Sequence, residues 1–451
     1  MNGTARVALC LGLLLPVATA QKHAVGSKAS SVSAYKLIAF KVTGTARYTD
    51  KEMLAASGLQ MGQNAADGDF KEAVQRLGNS GMFSDVVYSY SASNAGTKLE
   101  IQVADVDSSK LVPAHFENFV WYADDELNAD LQKIVPLYKG MVPVGGNLSE
   151  HVSEALQALL SEKHLPGRVN FLREANGSEG ALSAVTYRVE EVSIRIQSVE
   201  FPGASLQQVS LLEMASRKLT GAEYGRSTLA AAAKFDFLPV YLQRGYLKAA
   251  FAPSSARVLP QPSSTSSSPS VTDAPSAAEV QVDVIVPVTP GNVYMASGVD
   301  VKGNSAIGID QIMPLLHLTP GQPANAVRLL RDLEDLGKLY RSRGYMTVQV
   351  KPDPHFDDDK STVRYELRIL EGDLYKMGEV EILGLDTQAQ AQMHAAWTLR
   401  EGQPYNADYP QKFLENTRNL VPRGAQWDMS IHETPDAKDK TVDVEIRFKQ
   451  R

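Results

Sequence analysis

The sequence predicts an α+β protein of five tandem small β-α-α-β-β modules in an elongated array, each a three-stranded mixed sheet with two helices on one face. A Leu-x-x-Gly segment recurs at Leu59–Gly62, Leu137–Gly140, Leu318–Gly321 and Leu399–Gly402, with a shortened Leu219-Thr220-Gly221 among them. Its glycines, Gly62, Gly140, Gly221, Gly321 and Gly402, are 78, 81, 100 and 81 residues apart. Near-equal steps mean one unit copied along the chain. Within a step, apolar residues recur first at a strand's period of two and then at a helix's period of 3.6, in a fixed order.

The N-terminus precedes the first copy. Arg6 is the only charge before Lys22, an apolar run covers 7–17, and Ala18-Thr19-Ala20 has the A-x-A form of a cleavage site. Residues 1–20 are therefore expected to be a cleaved export signal. The run is shorter than the roughly 20 residues of a membrane-spanning helix, and no later segment reaches that length, so no membrane span is expected in the mature chain. Cys10 is the only cysteine and follows Leu9, where lipidation would want a small residue. The mature chain is then free of thiols, disulfides and cysteine metal sites.

Modules are expected over 35–105, 110–190, 192–288, 292–371 and 374–450. The fourth is the clearest. Residues 293–301 alternate as a strand and Lys302-Gly303-Asn304 is turn chemistry. Ile309, Ile312, Leu315 and Leu316 suit a helix that Leu318–Gly321 closes, the glycine taking positive φ. Val327, Leu330, Leu333, Leu336, Leu339 and Tyr340 stripe a second helix, with Arg328, Arg331, Asp332, Glu334 and Asp335 opposite. Arg343-Gly344-Tyr345 ends it, and strands at 345–350 and 362–370 flank a polar hairpin loop. In the third module Arg244-Gly245-Tyr246 echoes this ending, with Tyr241 standing where Tyr340 stands. Ala252–Ala278 is mostly Ser, Pro, Ala and Thr, too polar to offset its ordering entropy, and is expected as a disordered loop. The second module is the least regular: its first strand, 111–120, lacks a following glycine, and Leu165-Pro166-Gly167 replaces the Gly-Tyr pair.

Composition is that of a globular protein, with 43% hydrophobic and 22% charged residues. The formal charge of −7 argues against a basic groove for nucleic acid. No two of the eight histidines have the helical spacing of a metal pair. His317 reads as a structural histidine at a helix end. Asp357-Asp358-Asp359 lacks the spacing of a calcium loop and reads as a solvated hairpin tip. No nucleophile elbow, phosphate loop or His-Glu-x-x-His motif occurs. No catalytic, cofactor or metal site is expected, and the chain reads as a non-enzyme.

The element order, the period, the Leu-x-x-Gly turn and the Gly-Tyr ending resemble POTRA (polypeptide-transport-associated) domains. A tandem set behind an export signal resembles the periplasmic arm of the outer-membrane protein assembly-factor superfamily. The resemblance covers 35–450 and rests most on Tyr241–Tyr246 and Tyr340–Tyr345. Members of that superfamily usually carry a C-terminal membrane β-barrel, which needs eight or more strands of about 9–11 residues. No such stretch follows the fifth expected module, which ends Phe448-Lys449-Gln450-Arg451. The resemblance therefore implies the role of the arm and not the activity of the pore.

That role would be periplasmic protein binding, possible at the outer membrane, in outer-membrane protein assembly or secretion. Partners would be unfolded outer-membrane or secreted polypeptides, or a separate outer-membrane β-barrel subunit. A small sheet leaves edges whose backbone can pair with an extended peptide. On the family's usual strand order the edges are 81–90, 246–251 and 345–350, which makes Val86, Tyr88, Leu247, Ala249, Met346 and Val348 the candidate peptide-binding residues. The alternative is a structural spacer or scaffold of the cell envelope that makes contacts only at its ends.

Overall fold

The computed structural model describes residues 35–176, 181–260, 278–422 and 426–451. The expected export signal, Cys10 and residues 261–277 of the Ser/Pro stretch lie outside the described residues. By packing, the chain divides into two compact units, Met1–Pro113 with Leu131–Val152, and Ala114–Asp130 with Ser153–Arg451.

In the first unit, β1 (Tyr35–Thr43), α1 (Asp50–Ser57), β2 (Asn64–Ala65), α2 (Asp67–Asn79), β3 (Phe83–Ser93) and β4 (Gly96–Asp105) follow in order. Thr49 and Glu52 form a reciprocal capping box at the start of α1. The sheet runs β2-β1-β4-β3, with β1 parallel and β3 antiparallel to β4. Leu99, Ile101 and Val103 of β4 are buried at period two, and Phe70, Ala73 and Leu77 of α2 at helical spacing. Burying each large side chain contributes roughly 1.5–3 kcal/mol. Next come β5 (Leu111–Phe116), α3 (Asp124–Ile134), β6 (Met141–Pro143) and α4 (Leu148–Glu162). In this unit Leu111–Pro113 pairs antiparallel with β6.

In the second unit, β7 (Arg168–Asn176) pairs antiparallel with β8 (Ala181–Glu190), and Ala114–Phe116 of β5 pairs parallel with β8. Then come β9 (Val192–Glu200), α5 (Leu206–Ser216), α6 (Arg226–Ala232), α7 (Leu238–Leu242), β10 (Ala250–Phe251), β11 (Ser255–Val258), β12 (Ala278–Ile285) and β13 (Val288–Thr289). A π-helical stretch, Ala233–Phe237, joins α6 to α7. It sits where Pro239 cannot donate to the carbonyl four residues back. β9 is parallel and β11 antiparallel to β12. β14 (Met295–Lys302), α8 (Ile309–Ile312), α9 (Ala326–Arg341), β15 (Gln349–Asp357) and β16 (Thr362–Leu370) form the sheet β14-β16-β15. β17 (Lys376–Leu383), α10 (Thr387–Ala396), α11 (Tyr409–Asn416), β18 (Trp427–Asp436) and β19 (Thr441–Gln450) form β17-β19-β18. Each time the last strand is central, parallel to the first and antiparallel to the one before it. β16 and β19 alternate buried and exposed residues, so one face of each sheet carries a core.

Four expectations are corrected. The Leu-x-x-Gly segment does not close a helix. α8 is one turn, followed by a 3-10 turn at Met313–Leu315, where Pro314 interrupts the α ladder. Gly321, at φ 80°, instead reverses the chain. Its N–H donates to the Ala296 carbonyl at 2.8 Å, and the Ala296 N–H donates to the Gln322 carbonyl at 2.8 Å. The same pair of bonds links Gly62 to Leu37, Gly221 to Ile196 and Gly402 to Met377. The recurrent glycine thus lays a short strip along the outer edge of the first strand. Gly140, also at positive φ, leads directly into β6.

The strands after Gly-Tyr begin later than expected. Gly245 and Gly344 take φ 83° and 94°. Tyr246 and Tyr345 then tuck back edge-on against Tyr241 and Tyr340, with ring centroids 5.7 and 5.9 Å apart. A further turn follows, closed by Ala249 N–H to the Tyr246 carbonyl and Val348 N–H to the Tyr345 carbonyl. The Ser/Pro stretch holds a strand, β11, whose Arg257 bonds Glu200 and Asp283 at 2.7 and 3.0 Å. The first strand of the second expected module stops at Phe116 rather than 120. Buried Asn118 there bonds both the Val189 N–H and its carbonyl, bending Phe119 and Val120 into the core.

Candidate functional site

β3 lies at the end of the order β2-β1-β4-β3 and pairs with β4 alone among the described residues. A two-residue loop, Asn94-Ala95, joins Ser93 to its partner Gly96. Such a loop makes its closing pair a hydrogen-bonded one, and these alternate along an antiparallel ladder. From Asp85 onward the odd-numbered residues of β3 therefore bond β4, while Val86, Tyr88, Tyr90 and Ala92 turn their N–H and C=O groups outward. The sequence 83–93 contains no proline, so every outward donor is present.

A row of rings flanks this edge. Tyr88 and Tyr90 stack with centroids 6.4 Å apart, and Phe70 of α2 lies 5.1 Å from Tyr90. The Tyr88 hydroxyl donates to Asp67 Oδ1 at 2.8 Å, and Lys71 Nζ lies 2.7 Å from Asp67. Lys71 and that hydroxyl hold the Asp67 carboxyl below its usual range. Tyr90 and Val87 are exposed on opposite faces. Two of the residues singled out in the sequence, Val86 and Tyr88, are thus together on an open edge.

The other four are not on strands. Leu247 and Ala249 lie in the turn before β10, and Met346 and Val348 in the turn before β15. The tyrosine tuck takes up the residues that a direct entry into the sheet would have placed on the edge. Leu247 packs on the core beside Tyr294. Met346 packs on the core beside Tyr375, and Val348 on that around Tyr340. Ala249 lines a cavity of about 500 Å³ with Leu229, Ala233, Leu238, Phe251 and Val286. Of the repeat glycines, Gly62, Gly221, Gly321 and Gly402 hold turns onto first strands, as described above.

β15 is also an edge, but Pro352 and Pro354 sit two apart in it. A proline cannot serve the inner ladder, so both face outward and remove two donors from the open side. β7, the remaining long edge of its sheet, has no proline and exposes Leu172. Sequence reasoning passed over β7, although its run without proline between turn residues was a usable signal.

The buried polar groups serve structure. Asp332, 1% exposed, accepts from the His317 backbone N–H at 2.7 Å, contacts His317 Nδ1 at 2.9 Å and pairs with Arg328. The Tyr340 and Tyr405 hydroxyls donate to Glu371 and Glu433 at 3.0 and 2.6 Å. Burial and the adjoining carboxylate raise both phenols, and burial pushes Tyr241 up to about 12, so these groups act as fixed donors. The Asp357–Asp359 tip is not simply solvated: Asp358 accepts from Lys248 and from the Tyr294 hydroxyl, both at 2.6 Å. Among the described residues no group of three or more His, Cys, Asp or Glu could hold a metal ion, and no helix is long and apolar enough to cross a membrane.

Residues 294–372, which span β14 to β16, match the family described as POTRA, surface antigen variable number repeat. This segment is a POTRA domain. Over 181 residues, 37% of the chain, the protein is 21% identical to the outer membrane protein assembly factor BamA of Neisseria meningitidis serogroup B. The match takes in 23% of that protein's length. The POTRA3-5 fragment of Haemophilus influenzae BamA aligns with 57% of the chain and 96% of its own, at 16% identity and a TM-score of 0.43. The N-terminal domain of Omp85 from Thermosynechococcus elongatus aligns with 57% and 97%, at 18% identity and a TM-score of 0.22. The strand pattern of the POTRA segment, a central last strand, a parallel first strand and an antiparallel edge, recurs in the sheets centred on β4, β8, β12 and β19.

Proposed function

We propose that this chain is a non-enzymatic periplasmic binding protein that recruits or docks polypeptides in outer-membrane protein assembly or secretion. It does so by strand addition, with β3 as its principal edge. The module boundaries expected from the sequence, 35–105, 110–190, 192–288, 292–371 and 374–450, are part of this reading. The observation that carries it is the β3 edge: outward backbone groups at Val86, Tyr88, Tyr90 and Ala92, no proline, and an aromatic row able to select alternate side chains of an added strand. The POTRA match and the likeness to a protein named as an outer membrane protein assembly factor support the setting. Clients are unfolded outer-membrane or secreted polypeptides, or an outer-membrane β-barrel subunit.

The test is a photo-crosslinking residue placed at Tyr90 in cells, with a second at Phe356 on β15. Adducts to exported polypeptides from position 90 and few from 356 support the reading. Adducts from 356 alone, or only self-adducts at 90, overturn it. The spacer alternative draws on the joints, where the Tyr294 and Tyr375 N–H groups donate to the Gly245 and Gly344 carbonyls, each at 2.8 Å. A pure spacer would keep its cellular function with β3 blocked.

A further inference from the structure

The joints at Gly245 and Gly344 share one device. Each glycine sits at positive φ, and an added Cβ would lie 2.8 Å from a backbone carbonyl oxygen of the following sheet's first residues, Tyr294 or Tyr375. Backbone packs on backbone there, and only glycine leaves room. Between the sheet of β7 and β8 and the sheet of β9 and β12 that device is missing. Leu165-Pro166-Gly167 stands in place of Gly-Tyr, and Gly167, also at positive φ, seats against the end of its own sheet instead of the next one: a Cβ there would lie 2.3 Å from the Val189 side chain and 2.8 Å from the Glu190 carbonyl oxygen, where β8 ends.

A side chain takes over. Arg226 opens α6, and its Nη1 donates to the Phe116 carbonyl at 2.8 Å, just where β5 ends. Nη2 reaches the Tyr122 carbonyl at 3.4 Å, and the guanidinium pairs with Asp124 at the start of α3. Its side chain is 19% exposed, so these bonds form largely away from water. The planar fork suits several acceptors at fixed angles, which a lysine could not satisfy together. Glu117 returns the tie: its carbonyl accepts the Arg226 N–H at 3.0 Å, and its carboxylate accepts the Ser227 N–H at 3.2 Å and the Ser227 hydroxyl at 2.5 Å. Cavities of about 500 and 490 Å³ adjoin it, and both are lined by Asp124, Arg226, Pro253 and Ser254. The contact is therefore thin, with polar ties where a packed apolar wall would otherwise stand.

We infer that Arg226 is the clamp that fixes the β5/β7/β8 sheet to α6 and the β9/β12 sheet, replacing with one side chain the glycine-seated backbone contact of the later joints. The inference is independent of what the chain binds.

The test is a distance distribution between nitroxide labels at Ala158→Cys on α4 and Gln207→Cys on α5, both exposed, in the full chain with Cys10→Ser. The parent is expected to give one narrow distance. Arg226→Ala and Arg226→Lys are each expected to lose that single narrow peak while circular dichroism stays unchanged. A broad parent distribution, or a narrow one in a folded Arg226→Ala variant, overturns the clamp. Should Arg226→Ala fail to fold, the pair Glu117→Ala with Ser227→Ala decides: broadening supports the clamp, and an unchanged narrow peak overturns it.

Discussion

β3 and β15 hold equivalent places, each antiparallel to the central strand of its sheet and unpaired on its other side among the described residues. Their side chains make them differ. β3 presents a full set of outward donors beside Phe70, Tyr88 and Tyr90. β15 replaces two outward donors with Pro352 and Pro354, and carries Asp353 in an ion pair with Arg368 at 2.8 Å. Proline and charge are recurrent ways of stopping a sheet edge from pairing with another chain. One fold can thus carry an edge kept open and an edge kept closed, and position in the sheet alone does not tell them apart.

The largest expected effect comes from making β3 resemble β15. Val86→Pro with Ala92→Pro removes two outward donors and spares the inner ladder. At about 1 kcal/mol per net hydrogen bond, binding of an extended peptide should weaken about thirtyfold by fluorescence anisotropy. An unchanged affinity would mean that β3 is not the edge in use. The converse change, Pro352→Val with Pro354→Thr, should open β15. A gain of about fivefold in peptide affinity, or new self-association at sedimentation equilibrium, corresponds to roughly one recovered bond. No gain would show that charge rather than proline closes that edge.

Tyr90→Ala probes the aromatic row. An aromatic contact is worth about 0.5–1.5 kcal/mol beyond area, so a loss of about fivefold in affinity is expected, with the same change at Phe356 of β15 leaving affinity unaltered. The smallest effect is on pH. Asp67, lowered by Lys71 and the Tyr88 hydroxyl, and Asp358, lowered by Lys248 and the Tyr294 hydroxyl, both titrate below the ordinary aspartate range. A depressed carboxyl contributes its stability fully above the unfolded value and loses it as pH falls through the folded one. The Tyr88 and Tyr294 ring signals should therefore hold steady down to about pH 4 and shift together below it. A shift of either near neutral pH would contradict these pairings.

Much of the fold was legible because period carries it. The alternation in Thr362–Leu370 places β16 at the bounds observed, and the Val327–Tyr340 stripe places α9. Less legible was what tertiary contact decides. Gly321 looks like a helix stop because positive φ serves both a helix end and a turn; only its bond to Ala296 reveals the turn. Tyr345 looks like the first residue of a strand because aromatic residues favour strands, yet its ring prefers Tyr340. That preference moved Met346 and Val348 off the edge, and the equivalent tuck at Tyr246 moved Leu247 and Ala249. Val86 and Tyr88 escaped because Gly81-Met82-Phe83 brings no such tuck: β3 starts at Phe83. The prolines of β15 were in plain view, but their meaning depends on which residues face outward, and that takes the register.

The most direct measurement is amide hydrogen exchange, resolved by residue, on the full chain with and without an eight-residue peptide of alternating Val and Thr. The account predicts new protection at Val86, Tyr88, Tyr90 and Ala92, little change at the intervening β3 amides already bonded to β4, and none along β15. Protection confined to β15, or no alternation along β3, would contradict it.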